Sequence, residues 1–415
     1  MAEPLLWQPG APIIRRADEN DVYKIMMMYL IWSEYPNLRV KFGFKNRTKD
    51  INLGKYVDRS ELWSQLDWCR KLEFTDEVLA VYRSWEMFPE EFLQALKTLQ
   101  FALPEFEHRK DRPLAITTDG LWFNDTLWEI YVLPIVSELY GRGFARAEGI
   151  SEVDLFNEGN RRLSEKIEFF KKHPYLKISQ FGLRRRFSGP WEDHVTGRLL
   201  NETKVITGVS NMYLADKFDV PAQGTNAHEL PMALTALARH SGPKAMREAP
   251  YLVLGLWQKL FGHKSLIKLD DTYGSELFRR DLPRHFLESY RGFRHDSGDP
   301  FAYGEAVIAL YKQFGINHCS KVIIFSDGLN PELVLKIYNH FKGRIIVLFG
   351  MGTNLTNDIG LIKALSLVMK ITEAAGNPAV KLSNNLNKAT GDPDEVEYYK
   401  SIFGYTNTKR EALVY

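Results

Sequence analysis

Between residues 292 and 354 the chain repeats one pattern: a short apolar run, a polar cluster containing glycine, then a segment with helix-cap signals at both ends. Lys321-Val322-Ile323-Ile324-Phe325 ends in Ser326-Asp327-Gly328, and Ile345-Ile346-Val347-Leu348-Phe349 ends in Gly350-Met351-Gly352-Thr353-Asn354. Upstream, Gly292-Phe293-Arg294-His295-Asp296 leads into a helix with Asp299 as N-cap, Pro300 at its first position and Gly315 past its end. Asn330-Pro331 and Gly343 bracket the next helix in the same way. Strands that are apolar on both faces must be covered on both faces, which predicts a parallel sheet. Open α/β sheets and α/β barrels place their chemistry at the carboxyl ends of their strands, and the polar clusters fall there.

The same rhythm begins earlier. A strand-like run Lys204 to Val209 is followed by Gly224-Thr225-Asn226-Ala227-His228-Glu229-Leu230-Pro231 and the helical run Met232 to Ala238, and Leu269-Asp270-Asp271-Thr272-Tyr273-Gly274 ends another short strand. His228 lies on a loop entering a helix, where unpaired N–H groups welcome anions. A lone histidine there more often closes a loop hydrogen bond, so its company has to decide. Phe181-Gly182-Leu183-Arg184-Arg185-Arg186 is either a solvated turn or an anion clamp, because guanidinium offers a planar fork to phosphate or carboxylate. Taken as one rim, His228, Arg184 to Arg186, Asp270, Asp271, Arg294, Asp296 and the two glycine turns suit a ligand with phosphate and ribose. Aspartates near phosphates hold Mg²⁺ or accept from sugar hydroxyls, and Asp299 has its plainer reading as a helix cap.

The two ends differ from this middle. Asp21 reads as the N-cap of a helix through Trp32, with Tyr23 in the first turn where a side chain can face a ligand. Arg39 to Lys45 alternates as a half-buried strand, residues 60 to 100 are helical, and Arg112 to Thr118 is another strand, which together predict an α+β unit without a catalytic constellation. Trp128 to Tyr140 is apolar on nearly every face, as in a helix buried between layers, and Pro134 predicts a kink. Leu365 to Thr372 and Ala379 to Ser383 read as a hairpin joined through Gly376-Asn377-Pro378 that returns to the front of the chain. The domain boundaries expected are 1–140 for an N-terminal α+β domain, 141–360 for an α/β-barrel catalytic domain, and 361–415 for the returning segment.

At 415 residues the chain exceeds what one core usually serves. A formal net charge of +2 predicts no general attraction to nucleic acid, and the run Ile25 to Trp32 is too short to span a bilayer, so no membrane association and a cytoplasmic location are expected. Cys69 and Cys319 have neither metal-ligand spacing nor a disulfide framework.

Six stretches carry a resemblance. Asp21-Val22-Tyr23-Lys24, Phe181 to Arg186, Gly224 to Glu229, Arg294-His295-Asp296-Ser297-Gly298-Asp299-Pro300, Phe325-Ser326-Asp327-Gly328-Leu329 and Phe349-Gly350-Met351-Gly352-Thr353-Asn354-Leu355-Thr356-Asn357-Asp358 occur in order. Together they resemble the nicotinate phosphoribosyltransferases, a type II phosphoribosyltransferase family, over essentially the whole chain. The resemblance implies an incomplete α/β barrel joined to an α+β domain built from both chain ends. It also implies a homodimer with shared active sites.

The reaction implied joins nicotinate to phosphoribosyl pyrophosphate in NAD salvage, giving nicotinate mononucleotide and pyrophosphate. ATP as co-substrate would phosphorylate His228, and Mg²⁺ would assist. Tyr23, reaching in from the partner subunit, and Phe181 would sandwich the pyridine ring, with Arg184 beside it. Asp271 and Asp296 would lie near the ribose and Arg294 near the pyrophosphate, while Asp327, Gly328, Gly350, Gly352, Thr353 and Asn354 would hold the 5′-phosphate. The nicotinamide enzyme carries an aspartate where Ser210 stands, so a serine able to donate to a carboxylate favours nicotinate. Nicotinamide and quinolinate phosphoribosyltransferases are the alternative readings.

Overall fold

The computed structural model describes residues 6–8, 10–262, 264 and 266–411. Its front third contributes three strands, β1 (Arg39–Asn46), β2 (Glu105–Glu107) and β3 (Ala115–Leu121). The middle contributes β4 (Ile178–Gln180), β5 (Ile206–Val209), β6 (Ile267–Leu269), β7 (Gly292–His295), β8 (Val322–Phe325) and β9 (Ile346–Met351). The tail adds β10 (Leu367–Ala374) and β11 (Asn377–Pro378).

Strands β4 to β9 pair in parallel in the order β5-β4-β9-β8-β7-β6. Among the described residues β5 and β6 remain the two edges, so the sheet is an incomplete barrel rather than a closed one. Helices follow the strands as the cap signals predict: Asp299 accepts from the Ala302 N–H at 2.6 Å, and Asn330 from the Leu333 N–H at 2.8 Å. Gly315 and Gly343 take φ of 68° and 76° just past the helices they end, a conformation that strains other residues.

The second sheet is antiparallel, in the order β11-β10-β1-β3-β2, and so joins both ends of the chain. Its centre is β1, whose Phe42 faces Ile371 of β10 and Thr118 of β3. Val40, Phe42 and Phe44 point inward, giving the half-buried alternation. Helix Trp128–Glu148 runs through Pro134, is buried along most of its length, and packs on β10 and helix Arg59–Cys69. One continuous apolar core includes residues of both sheets.

The expected hairpin forms, but its second arm is shorter and begins earlier than expected. β11 is only Asn377–Pro378, and Ala379 to Ser383 do not form a strand against β10. The Ala379 N–H still donates to the Thr372 carbonyl of β10 at 2.9 Å, but beyond it Lys381 exchanges hydrogen bonds with Thr390 at 2.9 and 3.0 Å, and the Leu382 and Ser383 N–H groups donate to the Thr272 carbonyl at 2.8 and 3.2 Å. The following helix, Pro393–Phe403, stacks Phe403 on Tyr273 with ring centroids 4.0 Å apart. Aromatic pairing of this kind contributes about 0.5–1.5 kcal/mol beyond burial. The tail is thereby fastened to the end of β6, beside Asp271 and Thr272.

Candidate active site

The carboxyl ends of the parallel strands open into a cleft. Thirteen of the residues given a role from the sequence line it: Tyr23, Phe181, Arg184, Ser210, His228, Arg294, Asp296, Asp327, Gly328, Gly350, Gly352, Thr353 and Asn354. Asp271 stands behind His228, its Oδ1 3.4 Å from Nε2. Seven cationic side chains (Arg47, Arg184, Arg185, Arg294, Lys370, Lys381, Lys388) share the walls with three aspartates (Asp21, Asp296, Asp327). Such an excess, in a concave low-dielectric wall, favours a polyanion.

His228 precedes helix Glu229–Leu237 and is buried. Its Nδ1 lies 2.9 Å from Thr272 Oγ1, and its Nε2 lies 3.0 Å from Asp296 Oδ2 and 2.9 Å from Lys381 Nζ. Burial first, then the Lys381 ammonium, lowers the imidazole pKa to about 4, against the pull of Asp271 and Asp296. The ring is therefore neutral near pH 7 and has a nitrogen available as a nucleophile. Burial also lowers the Lys381 amine to about 8, with Asp271 and Asp296 opposing. Burial alone would lift Asp296, but Arg294, His228 and Lys381 outweigh it and hold its carboxyl well below the usual range.

Arg294 fixes the histidine loop from β7. It donates to Thr225 Oγ1 at 2.7 Å, to the Asn226 carbonyl at 3.2 Å and to Asp296 Oδ1 at 3.1 Å. Asp270 and Asp271 part company, because consecutive extended residues face opposite ways. Asp270 accepts from Ser275 and Tyr303 hydroxyls at 2.9 Å, outside the cleft. The ligand atoms of His228, Asp271 and Asp296 lie within 4.8 Å of one another. Asp271 Oδ1 is buried without a hydrogen-bond partner, and two carboxylates suit a hard cation such as Mg²⁺.

At the far wall the Phe181 ring lies against Gly350, where a Cβ would come within 2.4 Å of it. The two glycine turns are tied together by Asn354 Nδ2, which donates to the Leu329 carbonyl at 2.8 Å. Gly328 has φ of 57°, which frees its turn to bend back toward the cleft.

Four expectations change. Tyr23 lies in the cleft of its own chain, under the Arg184 guanidinium at 5.4 Å, because helix Val22–Glu34 packs beside the end of β5. Ser210 is not free to donate to a substrate carboxylate: its hydroxyl hydrogen goes to Asp21 Oδ1 at 2.6 Å. Asp21 makes no side-chain cap bond, and its other oxygen pairs with Arg184 Nε at 3.1 Å. The arginine triplet divides, since Arg184 and Arg185 line the cleft while Arg186 is fully buried between Glu19 and Glu192, each at 3.0 Å.

Sequence reasoning missed Lys370, Lys381 and Lys388, which the tail brings to the cleft. Lys388 donates to Asp327 Oδ1 at 2.5 Å and to the Asp296 carbonyl at 2.7 Å. Only the isolated charge in Ala379-Val380-Lys381-Leu382 hinted at a buried, partnered lysine.

The comparisons agree with this geometry. Residues 176–407 match the model of the nicotinate phosphoribosyltransferase family, and residues 19–137 match that of its N-terminal domain. A nicotinate phosphoribosyltransferase structure from Vibrio cholerae is 30% identical with a TM-score of 0.87, covering 97% of this chain and 96% of its own. One from Porphyromonas gingivalis is 28% identical with a TM-score of 0.83, covering 94% of this chain and 100% of its own. With more than half of its length matched, in the same order of N-terminal and catalytic parts, this chain belongs to the nicotinate phosphoribosyltransferase family.

Proposed function

We propose that this chain transfers the phosphoribosyl group of phosphoribosyl pyrophosphate to nicotinate, supplying nicotinate mononucleotide for NAD salvage, with ATP hydrolysis coupled through a phosphohistidine at His228. The observation that carries this reading is a buried, neutral imidazole facing a cleft rich in cationic side chains. Assembly as a cytoplasmic homodimer belongs to the proposal through the family resemblance, and light scattering tests the dimer. The residues invoked below all come from one chain.

In the transfer step the pyridine nitrogen attacks the ribose anomeric carbon. The new C–N bond forms as the C–O bond to pyrophosphate breaks, and the electron pair leaves with pyrophosphate. Arg294 and Lys388, which line the cleft, would supply positive charge to stabilise the departing anion. Tyr23 and Phe181 would hold the ring, and Arg184 would pair with its carboxylate. The turns at Asp327-Gly328 and Gly350 to Asn354 would cradle the 5′-phosphate with backbone N–H groups. Asp271 and Asp296 would hold Mg²⁺, whose contribution is to neutralise phosphate charge. In the ATP half-reaction His228 Nε2 forms a bond to the γ-phosphorus as the bond to ADP breaks. The phosphoryl group adds a charge of about −1.5 to −2 beside the cleft.

A product assay with nicotinate and nicotinamide, each with and without ATP, tests the reading. Nicotinate mononucleotide formed faster with ATP is expected. Preferential use of nicotinamide, or of quinolinate with release of carbon dioxide, would replace it with the corresponding alternative.

A further inference from the structure

The His228 imidazole meets more partners at Nε2 than one nitrogen can serve. Lys381 Nζ lies 2.9 Å away, Asp296 Oδ2 3.0 Å and Asp271 Oδ1 3.4 Å. An ammonium only donates and a carboxylate only accepts. A neutral imidazole carries at Nε2 either a hydrogen or a lone pair, so bonding to Lys381 and bonding to Asp296 are alternatives. Thr272 Oγ1, 2.9 Å from Nδ1, is compatible with both, because a hydroxyl can accept from an N–H or donate to a bare nitrogen. Only one of the two tautomers offers a lone pair at Nε2.

Lys381 is held in place independently of any ligand. Its backbone exchanges two hydrogen bonds with Thr390, and its neighbours Leu382 and Ser383 donate to the carbonyl of Thr272, the residue whose hydroxyl meets Nδ1. One short segment therefore sets the surroundings of both ring nitrogens. The Lys381 side chain is almost wholly buried, so water does not compete for its donors.

We propose that Lys381 selects the tautomer of His228, keeping the hydrogen on Nδ1 and the lone pair on Nε2 facing the cleft, against the pull of Asp296 and Asp271 for a hydrogen at Nε2. The inference deepens the reading of His228 as phosphoryl acceptor and rests on it. Lys381 is then a positioning residue. As the Nε2–P bond forms and the P–O bond to ADP breaks, with its electron pair leaving on ADP, the ammonium releases Nε2 and keeps its own proton. No proton has to leave Nε2, because none is there. In the other tautomer that proton would have to be removed first.

The test is the ¹⁵N spectrum of histidine-labelled full-length protein at neutral pH, with the His228 signals identified by their loss in His228→Ala. In the wild type Nε2 is expected to resonate as a bare, pyridine-type nitrogen and Nδ1 as an N–H nitrogen. Lys381→Met should reverse the two, and Lys381→Arg, which restores a donor, should keep the wild-type pattern. An Nε2–H signal in the wild type overturns the proposal without any variant having to fold. An unchanged pattern in Lys381→Met overturns it as well. The initial rate of label transfer from γ-labelled ATP should fall about hundredfold in Lys381→Met and recover to within about tenfold in Lys381→Arg. Full-rate labelling of Lys381→Met contradicts the positioning role. If the wild type takes no label while its spectra behave as stated, the phosphohistidine reading fails and the tautomer assignment stands.

Discussion

The Ser210 hydroxyl donates to Asp21 across 2.6 Å, so the residue expected to greet the substrate carboxylate is occupied by a carboxylate of the protein. Arg184, 3.1 Å from the other oxygen of Asp21, is the nearby cation that lines the cleft. On the proposed function, selectivity for an acid over an amide would depend on how much of the Arg184 charge Asp21 at 3.1 Å and Glu129 at 3.5 Å consume. Ser210→Asp would add a second carboxylate next to Asp21 and leave Arg184 over-neutralised. We expect kcat/KM for nicotinate to fall about tenfold or more, with a smaller loss for nicotinamide. Steady-state kinetics with both substrates check this, and unchanged constants for nicotinate would count against it.

Behind the cleft, Lys24 is fully buried and bonded to Glu229, to Glu129 at 2.9 Å and to Thr126 at 3.1 Å. Burial alone would lower its amine pKa, but the two glutamates outweigh that and raise it. Glu229 also accepts from Trp122 Nε1 at 2.7 Å, which anchors the residue following His228. Lys24→Met leaves buried Glu229 without its cation, while Glu129 keeps Lys370 at 2.7 Å, and should cost about 3–5 kcal/mol. Urea unfolding measures the loss, and a change below about 1 kcal/mol would mean water already reaches the cluster.

The depressed pKa of His228, about 4, has two consequences with pH. As the nucleophile, the ring should stay neutral as pH drops from 7 to 5, so the His228 contribution to label transfer should show no inflection near the ordinary histidine value of about 6.5. For stability the sign is also set: the unfolded chain binds a proton at this site that the folded chain refuses. The contribution is present above the unfolded pKa and is lost as pH falls toward about 4. Comparing the wild type with His228→Gln by denaturant unfolding across that range isolates it. A difference independent of pH would contradict the buried neutral ring.

Gly350→Ala would place a methyl within 2.4 Å of the Phe181 ring. The ring has to shift, at about 1–3 kcal/mol of strain. We expect a raised KM for nicotinate while labelling of His228 from ATP persists, because the clash falls on the Phe181 ring and not on a group bonded to the imidazole. Equal loss of both activities would indicate a general collapse of the fold.

Much of the scaffold was readable from local pattern. The apolar runs of β8 and β9, with Asp299 and Asn330 capping the helices that follow β7 and β8, announced a parallel sheet and put its polar turns on one rim. Partnerships remote in sequence were not readable in the same way. β1 pairs with β10 across more than three hundred residues, and no local signal specifies that Lys381 will meet His228. Asp21 looked like a cap because its neighbours begin a helix, yet its carboxylate is drawn to Ser210 and Arg184. The arginine triplet was ambiguous because burial distinguishes Arg186 from Arg184, and burial depends on Glu19 and Glu192 arriving from other elements.

The most direct test of the central claim is to incubate the protein with γ-labelled ATP and map the label. An acid-labile, base-stable phosphoryl group on His228 is predicted, absent from His228→Ala, which should retain slow nicotinate mononucleotide synthesis without ATP stimulation. Full ATP stimulation in His228→Ala, or label on a different residue, would contradict the account.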